Sequence, residues 1–93
     1  MAETVIQWHP AKARANALKH GVGFADAVTA LEDEFAITIA DPGAEGEERY
    51  VSIGSDGHGR ILVTVFALLT DVVRIISARK ATRRERNTYE SHR

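Results

Sequence analysis

Near Phe35 the hydrophobic period of this chain changes, and that change limits the fold to helices first and a sheet second. Upstream, Phe24, Ala27, Val28 and Leu31 recur at i, i+3, i+4 and i+7, the single buried stripe of a helix. Downstream, Phe35, Ile37 and Ile39 alternate, and so do Val51 and Ile53, the period of half-buried strands. Asp41-Pro42-Gly43 and Ser55-Asp56-Gly57-His58-Gly59 supply turns between strands. Arg60 to Leu69 reads as a strongly apolar strand, and Asp71 to Ala78 as another after a short connection. These four segments predict an antiparallel meander.

The flanks complete the pattern. Val5-Ile6-Gln7-Trp8 reads as a short N-terminal strand, and His9-Pro10 opens a helix with proline at its first position, where a missing N–H costs nothing. Lys19-His20-Gly21 closes that helix, because cations suit its C-terminal dipole and glycine adopts the left-handed conformation that ends it. Thr82-Arg83-Arg84-Glu85 is a capping box that starts a final helix. The predicted order is β-α-α-β-β-β-β-α, an α+β fold. With 93 residues, no repeat and no linker, residues 1–93 should share one core.

Several function classes fall away on composition. There is no cysteine, hence no disulfide, no thiolate nucleophile and no cysteine-based zinc site. His9, His20, His58 and His92 lack a close metal-ligand spacing, and neither a P-loop nor a Gly-x-Ser-x-Gly elbow is present, so no metal and no cofactor are expected. Ile61 to Leu69, the longest apolar run, falls short of the roughly 18 residues that span a membrane. Met1-Ala2-Glu3-Thr4 lacks the regions of a secretion signal, which makes cytoplasmic residence the expectation.

Charge is informative only once the chain is divided. The net charge is -1, but residues 1–73 hold 5 Lys/Arg against 11 Asp/Glu, and residues 74–93 hold 7 against 2. A terminal segment of +5 on a body of -6 points to a polyanion or an acidic partner. Arg79, Lys80, Arg83, Arg84 and Arg86 are candidates to bind phosphate through charge and forked hydrogen bonds, with Arg49 and Arg60 joining them if strand register allows. Strict alternation along Val73-Arg74-Ile75-Ile76-Ser77-Ala78-Arg79 would set Val73, Ile75, Ser77 and Arg79 on one face and Arg74 on the other.

RNA cleavage by attack of a 2′-hydroxyl on the adjacent phosphate needs a base, an acid for the leaving 5′-oxygen, and cations facing the phosphorane. Arginine fits only the last role, because its pKa is far too high for proton abstraction. His20 is the natural proton-transfer candidate, although helix termination alone explains its place before Gly21. Lys19, Lys80, Glu85 and Tyr89 are further candidates, Glu85 being already engaged by its capping box. Trp8 and Tyr89 offer rings for base stacking, with core packing as the competing use.

Taken together, Gln7-Trp8-His9-Pro10-Ala11-Lys12, the run Asn16 to Phe24, Glu48-Arg49-Tyr50, and Arg74 to Thr82 resemble the BrnT toxin family. Arg83-Arg84-Glu85-Arg86 with Tyr89 also matches, so the resemblance covers about nine tenths of the chain. It implies a RelE-like fold and a ribonuclease toxin that arrests translation. It also implies neutralisation by a BrnA-type antitoxin carrying a ribbon-helix-helix part, in a hetero-oligomer that binds operator DNA through the antitoxin. By resemblance, nucleic-acid contact or catalysis is carried onto Arg60, Arg79, Lys80 and Arg83, with His20 as a proton-transfer residue. The departure is Gln7 and His9, where the family has a Glu-Trp-Asp-Pro run; both carboxylates are gone. Two rival readings stand beside this one: a module that binds RNA or an acidic protein without cutting, and a DNA-binding repressor, which lacks a visible helix-turn-helix.

Overall fold

A computed structural model describes residues 4–44 and 46–93. Its elements in chain order are β1 (Val5–Gln7), α1 (Pro10–His20), α2 (Phe24–Leu31), β2 (Ile37–Ala40), β3 (Glu48–Ser55), β4 (Ile61–Leu69), β5 (Val72–Lys80) and α3 (Arg83–Ser91). The α+β class and the element order are those expected from the period change. The signal-peptide reading rests mainly on Met1, Ala2 and Glu3, which lie outside the described residues. Among those described, no helix is long and apolar enough to cross a membrane.

The sheet has five strands in the order β1-β5-β4-β3-β2, so the strongly apolar β4 takes the centre. Strands β2 to β5 form the expected antiparallel meander, and β1 adds a fifth strand, parallel to β5, through Val5↔Val72, Ile6↔Val73 and Gln7↔Arg74. A β-bulge interrupts β5: Ser77 pairs with Val65 but Ile75 pairs with Phe66, leaving Ile76 as the extra residue. The bulge overturns strict alternation. Arg74, opposite Ala67, now shares a face with Ser77 and Arg79, opposite Val65 and Val63, while Ile75 moves to the face of Ala78.

Helices α1 and α2 cover that second face. Phe24, Ala27 and Ala30 from α2 pack with Val22, Leu62, Ile75 and Ala78 in the core. Full burial of side chains the size of Leu62 and Ile75 contributes about 1.5–3 kcal/mol each. Contact between α2 and β3 is close enough that a Cβ on Gly54 would come within 2.3 Å of the Ala30 carbonyl oxygen, so only glycine fits there. Helix α1 starts at His9, whose Nδ1 accepts the Ala11 amide at 3.3 Å, and ends at Gly21 with φ 69°.

Beyond Gln7 the edge of β5 has no strand neighbour, and α1 takes that place. The amide of Asn16, 7% exposed, donates to the carbonyls of Ala78 (2.8 Å) and Val22 (3.1 Å) and accepts the Ala78 N–H (3.1 Å). One side chain thus does what a sixth strand would do for Ala78. Helix α3 folds back over the opposite face at its Ser55–Ile61 end, anchored by Tyr89, which is 2% exposed and donates its hydroxyl to Asp33. Its capping box is present, with Glu85 N to Thr82 Oγ1 at 3.2 Å and Thr82 N to Glu85 Oε1 at 2.8 Å.

Candidate nucleic-acid site on the open sheet face

The face not covered by α1 and α2 carries a row set by register: Arg49 opposite Ala67, Ala67 opposite Arg74, and Arg74 opposite Gln7. Ala67 is fully buried and short, so the two arginines on either side lean across it toward one carboxylate. Glu47 accepts Arg49 at 2.9 Å and Arg74 at 3.4 Å. The hydrogen bond from Arg49, with the fields of Arg74 and Lys12 added, holds the Glu47 carboxyl below its ordinary value. Arg49 Nε is buried and has no hydrogen-bond partner among the described residues, an open donor beside the pair.

A cleft of about 360 Å3 lies over this row. Gln7, Trp8, His9 and Lys12 form its other wall, so among the described residues Lys12, Arg49 and Arg74 confront the one carboxylate of Glu47. The Trp8 ring is braced edge-on by buried Phe24 at 6.0 Å and 81°, yet Trp8 stays 37% exposed. A ring held against the core with more than a third of its surface exposed suits base stacking. With Nδ1 of His9 occupied by the Ala11 amide, the ring hydrogen of the neutral form sits on Nε2. A second, shallower groove of about 240 Å3 runs on between α1 and β5, lined by Lys12, Asn16, Lys19, His20, Ile76 and Ser77. Lys12 and Ile76 line both, so groove and cleft adjoin.

The residues singled out in the sequence divide between this site and other places. Trp8 and Arg49 line the cleft; Lys19 and His20 line the groove. Arg79 shares the face but is held by Glu85 in a two-pronged contact at 2.7 and 2.9 Å, which carries the Glu85 pKa down to about 2. Arg86 donates to the Ala81 carbonyl at 3.4 Å, and Arg83 and Arg84 are exposed on the first turn of α3. Tyr89 is a packing residue: burial and the Asp33 carboxylate push its pKa up to about 12. Lys80, opposite Leu62, projects from the other face than Arg79. Arg60 lies away from the cleft, bonded to Asp56 (2.8 Å), Asp26 (2.9 Å) and the Gly21 carbonyl (3.4 Å), where it ties the start of β4 to α1 and α2. The terminal run of cations therefore does not converge on one pocket.

Glu47, Arg74, Lys12 and His9 line the cleft without being among the site residues that the sequence points to. Arg74 carried a usable signal, a lone charge within the apolar run Val72-Val73-Arg74-Ile75-Ile76. Glu47 carried none, since Arg74 and Lys12, which set it apart from the other acidic residues of its segment, are distant in sequence. Among the described residues, no three His, Asp or Glu side chains gather in a group that could hold a metal ion.

Comparison with known proteins agrees with this architecture. No curated protein matches the chain in sequence. The crystal structure of the ribonuclease toxin BrnT of Brucella abortus superposes with a TM-score of 0.66 at 25% identity, covering 88% of this chain and 100% of that one. A family model for the ribonuclease toxin BrnT of type II toxin-antitoxin systems matches residues 8–85, a span that includes Trp8, the Arg49–Ala67–Arg74 row and the Arg79–Glu85 pair. With both the sequence pattern and the fold in agreement, this chain belongs to the BrnT family of ribonuclease toxins from type II toxin-antitoxin systems.

Proposed function

We propose that the chain is an endoribonuclease that cuts RNA without a metal, by attack of a 2′-hydroxyl on the neighbouring phosphate, at the cleft between the Arg49–Arg74 row and Trp8. The observation that carries this is the buried Arg49 Nε, unpartnered among the described residues, beside a carboxylate shared by two guanidinium groups. Arginines at a phosphate supply forked donors to its oxygens and stabilise the charge that grows on the phosphorane. Glu47, kept ionised by Arg49 and Arg74, accepts the proton of the 2′-hydroxyl. His9 donates a hydrogen bond from Nε2–H to the leaving 5′-oxygen, which takes its proton from a solvent water whose hydroxide is then neutralised by the proton held on Glu47, and Trp8 stacks on a base next to the scissile bond. Lys12, Lys19 and His20 follow the adjoining backbone, while Arg79, Lys80, Arg83, Arg84 and Arg86 contribute a general attraction for RNA. Cytoplasmic residence fits this substrate. Neutralisation falls to a BrnA-like ribbon-helix-helix antitoxin, and operator binding to that partner.

The test is incubation of the purified protein with RNA in EDTA, with analysis of the product ends. Cleavage leaving 2′,3′-cyclic phosphate and 5′-hydroxyl ends, lost in Glu47→Gln and Arg74→Ala, supports the reading. Tight binding of RNA that stays intact would replace it with a binding module.

A further inference from the structure

At the other end of β3 from the cleft, a cavity of about 390 Å3 opens between the α2–β2 connection and the last turn of α3. Asp33, Glu34, Phe35, Tyr89, Glu90 and Arg93 line it. Its floor is firmly built. The Asp33 carboxylate accepts the Tyr89 hydroxyl, the Ser55 amide at 2.8 Å and the Phe35 amide at 3.1 Å. Phe35, by contrast, is 43% exposed, a large ring that the core does not claim.

The contents of the cavity identify its chemistry. The guanidinium carbon of Arg93 lies 5.7 Å from the centre of the Phe35 ring and 5.9 Å from that of Tyr89, and Nη1 reaches Glu90 at 3.2 Å. Two aromatic faces with carboxylates around them make a cage for a cation, and a flat guanidinium stacks in it better than an ammonium does. Asp33, Glu34 and Glu90 outnumber the one arginine, so the lining stays negative with Arg93 in place. Glu34 makes no hydrogen bond among the described residues, while the Arg93 and Glu90 side chains are 51% and 54% exposed. An exposed pair of this kind holds weakly and yields to competition.

We propose that this cavity receives an arginine side chain from a protein partner, and that Arg93 is the internal stand-in which leaves when the partner's guanidinium arrives. The site is separate from the RNA cleft. Arg49 and Ser55 lie six strand residues apart, which is roughly 20 Å along β3, so this reading survives or fails independently of the nuclease.

The test is an NMR titration of the folded chain with the peptides Gly-Arg-Gly and Gly-Lys-Gly, following the signals of Phe35 and Tyr89. The arginine peptide should shift both, saturating at a concentration about two- to fivefold lower in Arg93→Ala, where the stand-in is gone. The lysine peptide should bind several-fold more weakly. Phe35→Ala in the Arg93→Ala background removes an exposed ring and should abolish saturation, with the rest of the spectrum unchanged. Equal response to both peptides, an unchanged midpoint in Arg93→Ala, or shifts confined to the Glu47 cleft would overturn the proposal.

Discussion

Two sets of arginines differ in how they come to be neighbours. Arg79, Arg83, Arg84 and Arg86 are close in sequence, and the fold separates them: Glu85 binds Arg79, Arg86 donates to the Ala81 carbonyl, and Arg83 and Arg84 face solvent. Arg49 and Arg74 are distant in sequence, and strand register sets them on either side of Ala67, bonded to one Glu47. A run of like charge repels itself and spreads along a helix, whereas two cations sharing a carboxylate are held at the spacing a phosphate needs. Density of charge in the sequence is therefore a guide to attraction, not to the position of chemistry.

The largest expected effect separates the two sets directly. Arg74→Ala should lower RNA cleavage by a factor on the order of 10²–10³, the usual loss when one donor to a transition-state oxyanion is removed. Arg84→Ala, with its side chain in solvent, should change it by about twofold or less. Single-turnover cleavage of a fixed RNA at constant salt compares them. Equal losses would show that overall charge, and not the row, sets the rate.

A second effect concerns the wall that brings Lys12 to the row. Asn16→Leu removes three hydrogen bonds and leaves the Ala78 N–H and C=O without their partner. The expected cost is about 2–3 kcal/mol, a fall in Tm on the order of 10 °C. Thermal unfolding measures it, and an unchanged Tm would mean that α1 is not what satisfies the edge of β5.

How much of this was legible follows from the range of each cause. Local causes were readable: proline at the start of α1, Gly21 at its end, the Thr82–Glu85 capping box, the helical stripe from Phe24 and the alternation in β2 and β3. Causes acting between distant segments were not. Nothing in the sequence marks the role of Asn16, because its partner, Ala78, lies 62 positions away. The Ile76 bulge, which leaves no mark in composition, moved Arg74 onto the face of Arg79 and so created the site. His9 replaces the aspartate of the family's run, and its Nδ1 caps α1 by accepting the Ala11 amide.

Stacking gives a smaller and more specific test of the cleft. Trp8→Ala should weaken RNA binding on the order of tenfold, within the range measured for loss of one base–aromatic contact. Trp8→Phe, which keeps a ring against Phe24, should recover much of that affinity. Fluorescence anisotropy with a labelled oligoribonucleotide reads both. Equal affinity in all three proteins would remove Trp8 from the binding surface.

The smallest effect contrasts the carboxylates of the two sets. The hydrogen bonds from Arg79 lower Glu85 from its ordinary 4.5 to about 2 in the folded chain. A carboxylate depressed by folding stabilises the fold above its unfolded pKa, and that stabilisation is lost as the pH falls from about 4.5 toward 2. Because the Arg79 side chain is 41% exposed, the contribution is about 1–2 kcal/mol after allowance for solvent screening. Asp33 and Asp56 add to the same acid limb, for burial would raise them but hydrogen bonds from Tyr89 and Arg60 outweigh it. Glu85→Gln keeps a capping-box residue while removing the charge. Urea unfolding from pH 7 to pH 2 should show it less stable than the parent at neutral pH, equal to it near pH 2, and unchanged in RNA cleavage. Glu47→Gln should do the reverse, losing cleavage while keeping the part of the acid limb that Glu85, Asp33 and Asp56 supply, and loss of both cleavage and that part in either variant would mean that the two carboxylates belong to one functional unit after all.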